Sequence, residues 1–194
     1  DRPRLLAMTI LGGGLDDAKH HADALSVKES ELSMMLRLGD SEGAILDMRC
    51  NLSNTYCKLG RKEQALQMDR DIYCGLLKLN GEEHEKTVTA ASNYAASLVG
   101  LERLEEAKPL LRKTLPVAQR ILGDSHDHTL SMRSIYATAL YCDTCATLDD
   151  LREAVTTFEE LEQTTRRVLG GTHPFVEDIG ISLRNARAAL AARE

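Results

Sequence analysis

The chain has 194 residues, of which 43% are hydrophobic and 4% aromatic, and its formal net charge of −6 argues against a non-specific nucleic-acid binder that needs a basic face. No apolar run approaches the roughly 20 residues of a membrane helix, and no N-terminal signal pattern is present. Five cysteines without a disulfide-like framework favour a reducing compartment, so a cytoplasmic or nuclear protein is expected. Because the sequence opens on Asp1 and not on methionine, we expect a fragment of a longer chain.

The first element in chain order is a long helix predicted over 15–38. Gly12-Gly13-Gly14 precedes it and is predicted to connect two helices, because it lacks the strand–helix context and the Lys-Ser/Thr of a phosphate loop. The helix is interpreted as the second helix of a partial leading unit, with Ala18 at its helix–helix contact. Ala18 stands 21 residues before Gly39, which does not match the spacing of the later units.

A polar turn recurs after this helix at a fixed spacing. Its copies begin at Gly39, Gly81 and Gly123, each 42 residues apart, and a fourth copy begins at Gly170, after 47 residues. Internal repetition of this kind indicates stacked supersecondary units that cannot bury their apolar faces alone. The turns predict full units over 39–80, 81–122 and 123–169, followed by a C-terminal capping helix within 170–194.

Each unit is predicted to contain two helices. The hydrophobic spacing of three and four residues indicates helices near 44–59 and 62–79, and near 86–100 and 103–122. The third unit runs from Thr129 to Leu169, and its five added residues lie in a longer turn at 142–147. A small residue opens each second helix, where two helices approach most closely: Ala65, Ala107 and Ala154.

These segments resemble tetratricopeptide repeats, and more narrowly the 42-residue repeats of kinesin light chains. The resemblance rests on the stretch NLSNTYCKLGRKEQAL, on the Gly-Gly-Thr-His-Pro turn at 170–174, and on the Asn51 and Asn93 positions of the first helices. It implies an all-α fold, in which antiparallel helix pairs stack into a right-handed superhelix (an α-solenoid). It also implies a non-enzymatic protein-interaction module or scaffold, with no cofactor.

In this family the first helices line a groove that holds a peptide or helix of a partner protein. Amide side chains suit this task because asparagine both donates to and accepts from a peptide backbone. The alternative is that Asn51 and Asn93 only bind a neighbouring helix. Carried over by position, the candidate groove residues are Asn51, Asn54, Lys58, Ser92, Asn93, Ala96, Ser134 and Thr138.

Two other groups of residues invite a chemical interpretation. His84, His126 and His173 lie at equivalent turns that do not converge on one point, so they are predicted to bind backbone groups and no metal. Cys142 and Cys145 mimic a zinc spacing, but a helix of about 21 Å separates them from the upstream histidines. A redox pair in this loop remains open as an alternative function.

No serine–histidine–aspartate or paired-carboxylate constellation can be assigned, so no catalytic residue is expected. Three hypotheses remain open from the sequence: a peptide-binding module, a redox- or metal-responsive domain that uses Cys142 and Cys145, and a scaffold that associates weakly with itself or docks onto other domains.

Overall fold

The computed structural model describes residues 2–194, and within them the fold is all-α, with nine helices and no strand. The helices are α1 Arg2–Asp17, α2 His21–Leu38, α3 Glu42–Lys58, α4 Lys62–Asn80, α5 Glu85–Gly100, α6 Leu104–Leu122, α7 Asp127–Tyr141, α8 Leu148–Leu169 and α9 Pro174–Ala191. The predicted fold class is confirmed. No helix in this part of the chain has both the length and the apolarity to cross a membrane.

The helices form two compact parts, which are called the first unit and the second unit from here on and are larger than the repeats predicted from the sequence. The division between them falls after Gly81. In the first unit α1 packs on α2 and α3 on α4, while α2 also contacts α3. In the second unit, Glu82–Glu194, α5 packs on α6, α7 on α8, and α8 on α9. The first helices α5 and α7 contact each other there, as do α7 and α9. Each unit is therefore built from helix hairpins, and the second helix of one hairpin contacts the first helix that follows it, as α2 does α3 and α6 does α7.

The small residues predicted at the helix contacts are fully buried. Ala65, Ala107 and Ala154 have no exposed surface, in agreement with close approach of the two helices of a pair. In the leading pair this position belongs to Ala24, which is also fully buried, whereas Ala18 is exposed. The choice of Ala18 was wrong because the helix break lies further along the chain than the glycines suggested.

Gly12, Gly13 and Gly14 lie inside α1 and do not connect two helices. The helix predicted over 15–38 is instead divided by a three-residue turn centred on Lys19, whose φ is 63°. The N–H of Lys19 donates to the carbonyl of Asp16 at 3.1 Å, and the next N–H donates to the carbonyl of Leu15 at 2.8 Å. The leading repeat, α1 and α2, is thus a complete hairpin of two helices.

Each unit has its own apolar core. In the first unit Leu25, Met35, Met48 and Leu52 form one cluster between α2 and α3. In the second unit the largest fully buried side chains are Leu98, Leu111, Leu130, Met132, Leu140, Leu151, Phe158, Leu161 and Ile179. Some polar residues of the first helices are buried with these side chains, among them Ser53, Thr55 and Thr129.

Candidate functional site

The outward face of α3 carries three of the predicted groove residues. Asn51, Asn54 and Lys58 are exposed, and their spacing of three and four residues places them on one side of the helix. The side chains of Asn51 and Asn54 make no hydrogen bond with any residue in 2–194. Their amides are therefore not used to hold a neighbouring helix.

Lys58 lies beside a buried ionic cluster that joins α1, α2 and α3. Asp16 accepts hydrogen bonds from Lys28, from Thr55 at 2.9 Å and from His21 at 2.9 Å, and the Lys58 ammonium lies 3.7 Å from it. Burial alone would raise the pKa of Asp16, but the hydrogen bonds from Lys28, His21 and Thr55 lower that pKa to about 2. The cluster is a satisfied structural network and leaves no group poised for proton transfer.

The second unit presents the remaining predicted residues on α5 and α7. Asn93 and Ala96 lie on the outward side of α5, and Ser134 and Thr138 are half-buried on the outward side of α7. The amide of Asn93 makes no hydrogen bond within the described residues. Ser92 is different: it is 4% exposed, so its hydroxyl lies within the helix packing and does not reach a surface ligand.

An open cavity of about 650 Å³ lies at the carboxyl-terminal ends of α5 and α7. The residues that contribute to its wall include Val99, Gly100, Glu102, Glu105, Thr138 and Cys142. Only Thr138 among the predicted groove residues lines it. The sequence did not indicate this cavity, because it is created by the extended turn between α7 and α8 and by the turn after Gly100.

The charge in this cavity is mostly acidic. Lys108 binds Asp143 and, at 3.0 Å, Glu105, so these two carboxylates are partly neutralised. The hydrogen bond from Lys108 holds the pKa of Asp143 below its usual range. The Glu102 carboxylate makes no hydrogen bond or ion pair with any residue described. The cavity consequently offers one uncompensated negative charge to a ligand.

The loop between α7 and α8 places Cys142 and Cys145 at the surface as free thiols. Asp143 accepts the backbone N–H of Cys145 at 2.8 Å, which fixes the turn. Desolvation raises the pKa of Cys142, and the nearby Glu102 carboxylate raises it further, although a contact with Tyr141 lowers it. A raised pKa reduces the fraction of thiolate at Cys142, which redox and metal chemistry need, so this shift disfavours the redox hypothesis.

The turn histidines are helix N-caps. In each case the Nδ1 atom accepts the backbone N–H two residues further along, as the prediction of backbone binding required. The pairs are His84 with Lys86 at 3.1 Å, His126 with His128 at 3.3 Å and His173 with Phe175 at 3.2 Å. In the first copy of the turn Ser41 performs this role, with its Oγ accepting the N–H of Ala44 at 3.3 Å, and Glu42 is the first residue of α3.

No group of three or more histidine, cysteine, aspartate or glutamate side chains within residues 2–194 is arranged to hold a metal ion. The described residues do present polar surfaces: exposed amides on α3, a half-buried amide on α5 and half-buried hydroxyls on α7, with an acidic cavity beside α5 and α7.

Repeated helix hairpins with polar outward faces define an α-helical repeat protein. Residues 45–85 and 87–128 match the sequence profile of a tetratricopeptide repeat family. No curated protein sequence matches the chain. This profile identifies tetratricopeptide repeats over 45–85 and 87–128.

Solved structures with the same fold include two crystal structures of nearly identical TPR-like repeats assigned to a putative kinesin light chain of Podosopora anserina. Their TM-scores are 0.79 and 0.77, and each is 18% identical in sequence to this chain. The first match covers 100% of this chain and 90% of the solved chain, and the second covers 98% and 88%. BtubC (BKLC) from P. vanneervenii has a TM-score of 0.65 and 17% identity, over 95% of this chain and 76% of its own. At these identities the likeness shows the fold alone.

Proposed function

We propose that the second unit binds an extended segment of a partner protein along the outward face of α5 and α7. Tetratricopeptide repeats generally mediate binding to other proteins, which agrees with this role. The observation that carries the proposal is the unused Asn93 amide, which lies on the same outward face as Ala96 and on a helix packed against α7. An amide with no internal partner is free to pair with both groups of a peptide bond.

The roles of the individual residues follow from their chemistry. Asn93 would hold the backbone of the bound segment, and the Thr138 hydroxyl, which itself donates to the Ser134 carbonyl at 2.9 Å, would accept a hydrogen bond from that segment on α7. Ala96 keeps the face shallow between them, so that a backbone can approach closely. Glu102 would bind a lysine or arginine side chain that enters the cavity, because its carboxylate has no internal partner.

Peptide selection tests this function, because it requires no identified partner. A random peptide library displayed on phage is selected against the wild-type protein, and the enriched peptides are measured with Asn93→Ala/Thr138→Val. We expect lysine or arginine to be enriched and the affinity to fall about tenfold in the variant, which is the free energy of one to two lost hydrogen bonds.

The matched control is Gln163→Ala, which removes an exposed amide from α8 that makes no hydrogen bond within the described residues. This variant should bind the selected peptides as the wild type does. Equal loss in both variants, or no loss in either, would show that the peptides do not occupy the α5–α7 face.

A further inference from the structure

The first unit contains a second cavity, of about 530 Å³, between α2, α3 and α4. Leu32 of α2, Tyr56 of α3 and Met68 of α4 form its apolar part, and all three pack directly on the core cluster around Leu52. The cavity is open to solvent and its apolar wall is continuous with the core. It can therefore receive an apolar side chain without any rearrangement of the helices.

This cavity lies on the opposite side of α3 from the predicted groove residues. Arg49 and Tyr56, which line it, are seven residues apart and so lie on the same side of the helix. Lys58 is nine residues from Arg49, about two and a half turns, which directs it to the other side. A ligand in the cavity would consequently not touch Asn51 or Lys58.

Arg49 is the unusual residue of this cavity. It is half-buried, and its guanidinium makes no hydrogen bond or ion pair with any residue in 2–194. Arg133 occupies the equivalent position of the second unit, since each of them lies ten residues after its turn glycine. There the guanidinium is bound by Glu160 of α8 at 2.5 Å.

The residue equivalent to Glu160 in the first unit is Asp71, because each lies six residues after the buried alanine of its helix. Asp71 lines the same cavity but accepts a hydrogen bond from Gln67 at 3.0 Å and does not pair with Arg49. Glu63 and Asp71 line the same cavity, but neither carboxylate is in direct contact with Arg49, so the half-buried guanidinium keeps its donors available for an external anion.

A second contrast between the two units concerns the hydrogen bonds of a tyrosine. In the second unit Arg112 of α6 donates to the Tyr136 hydroxyl at 3.1 Å, and that hydroxyl donates to Glu153 of α8 at 3.1 Å. This chain of bonds crosses the space between α6 and α8. In the first unit the position of Tyr136 is taken by Leu52, which has no polar group, and it is the hydroxyl of the cavity residue Tyr56 that donates to a carboxylate, that of Glu29 of α2, at 2.9 Å.

We propose that this cavity is a binding site for a partner segment that presents an apolar side chain next to a single carboxylate. The apolar side chain would pack on Leu32, Tyr56 and Met68, and the carboxylate would bind Arg49. A strongly acidic segment would be repelled by the carboxylates of Glu63 and Asp71 at the same cavity. The ligand is thus distinct in charge and in location from the basic segment expected on α5 and α7.

The test uses the full chain with methionine labelled at its methyl carbons and N-acetyl-L-leucine as the probe, which carries one apolar side chain and one carboxylate. Binding should shift the methyl signal of Met68 in a saturable, millimolar titration. Met132, buried in the second unit, should not move and serves as the internal reference. N-acetyl-L-leucinamide, which lacks the charge, should bind about five- to tenfold more weakly.

Variants separate the charge from the cavity. Arg49→Gln should reduce the affinity for the acid to that for the amide, while Arg70→Gln removes an exposed arginine of α4 outside the cavity and should change nothing. Equal affinities for acid and amide in the wild-type chain would overturn the proposal, and that comparison needs no variant. Shifts at Met132 without shifts at Met68 would overturn it as well. None of these outcomes depends on peptide binding by α5 and α7.

Discussion

Lys19 and Gly60 occupy the same left-handed position in two successive hairpin turns, with φ angles of 63° and 73°. Both turns are closed alike: Gly60 donates to the carbonyl of Cys57 at 3.0 Å, as Lys19 does to Asp16 at 3.1 Å. Glu102 takes the position in the next turn with a φ of 59°. Glycine adopts this conformation at little cost, whereas a residue with a β-carbon is strained there.

Lys19→Gly should therefore stabilise the protein, by about 1 kcal/mol, because the strain removed exceeds the added entropy of the unfolded chain. Gly60→Lys should destabilise it by a similar amount. Urea unfolding of both variants measures the two free energies. A Lys19→Gly variant that is less stable than the wild type would show that the lysine side chain has a stabilising role that outweighs its backbone strain.

Lys19 also explains why the leading hairpin was not predicted from the sequence. The later turns could be located because Gly60 and the spaced glycines interrupt the helices, but Lys19 carries no such signal. Gly12-Gly13-Gly14 misled because glycine is a poor helix residue, yet α1 continues through all three. At Gly12 there is a packing reason, since a β-carbon would lie 3.1 Å from the side chain of Lys28.

The candidate surfaces could be predicted only in part. Helical spacing is sufficient to place Asn51, Asn54 and Asn93 on outward faces. Spacing does not report how wide the buried face is, and so Ser92 was included although the helix packing covers it. The cavity at Arg49 depends on an ion pair that forms in one unit and not in the other, and no local pattern indicates such a difference.

The buried cluster around Asp16 predicts an acid-sensitive stability. The folded state holds the pKa of Asp16 at about 2, below its ordinary value of 3.8. The stabilisation from this carboxylate is therefore complete above the ordinary value and is lost as the pH falls towards 2. Asp16→Asn should destabilise the chain by about 2 kcal/mol at neutral pH, because it leaves Lys28 buried without a counter-charge.

Chemical unfolding of the wild type and of Asp16→Asn between pH 7 and pH 2 measures this contribution. The difference in unfolding free energy between them should shrink as the pH falls and be smallest at pH 2. Asp17→Asn, at an exposed position, is the matched control and should show no comparable change. A difference independent of pH would contradict the assignment of the charge on Asp16.

His84 caps the N-terminus of α5, so its replacement by another good capping residue should preserve the stability of the protein. His84→Ala should cost about 1 kcal/mol, whereas His84→Asp should keep or raise the stability, since aspartate caps helix N-termini well and complements the helix dipole. Thermal unfolding with and without added zinc measures both effects. A loss in His84→Asp equal to that in His84→Ala would mean that the imidazole has a role other than capping.

The thiol at Cys142 should react slowly with an alkylating reagent. Desolvation raises its pKa, so at pH 7.5 its reaction with iodoacetamide should be slower than that of the same cysteine in a peptide spanning residues 140–147. Mass spectrometry of the alkylated protein at a series of pH values measures the rate. Faster reaction than in the peptide would restore the redox hypothesis for this loop.

The most direct measurement of the central claim is site-specific crosslinking of a peptide selected against the wild-type protein. Ala96, an exposed residue of the proposed α5–α7 face, is replaced by the photoreactive residue benzoylphenylalanine, and Gln163 of α8 is replaced in the control. Irradiation should join the peptide to position 96 and not to position 163. Crosslinking at position 163 with none at position 96 would contradict peptide binding on the α5–α7 face.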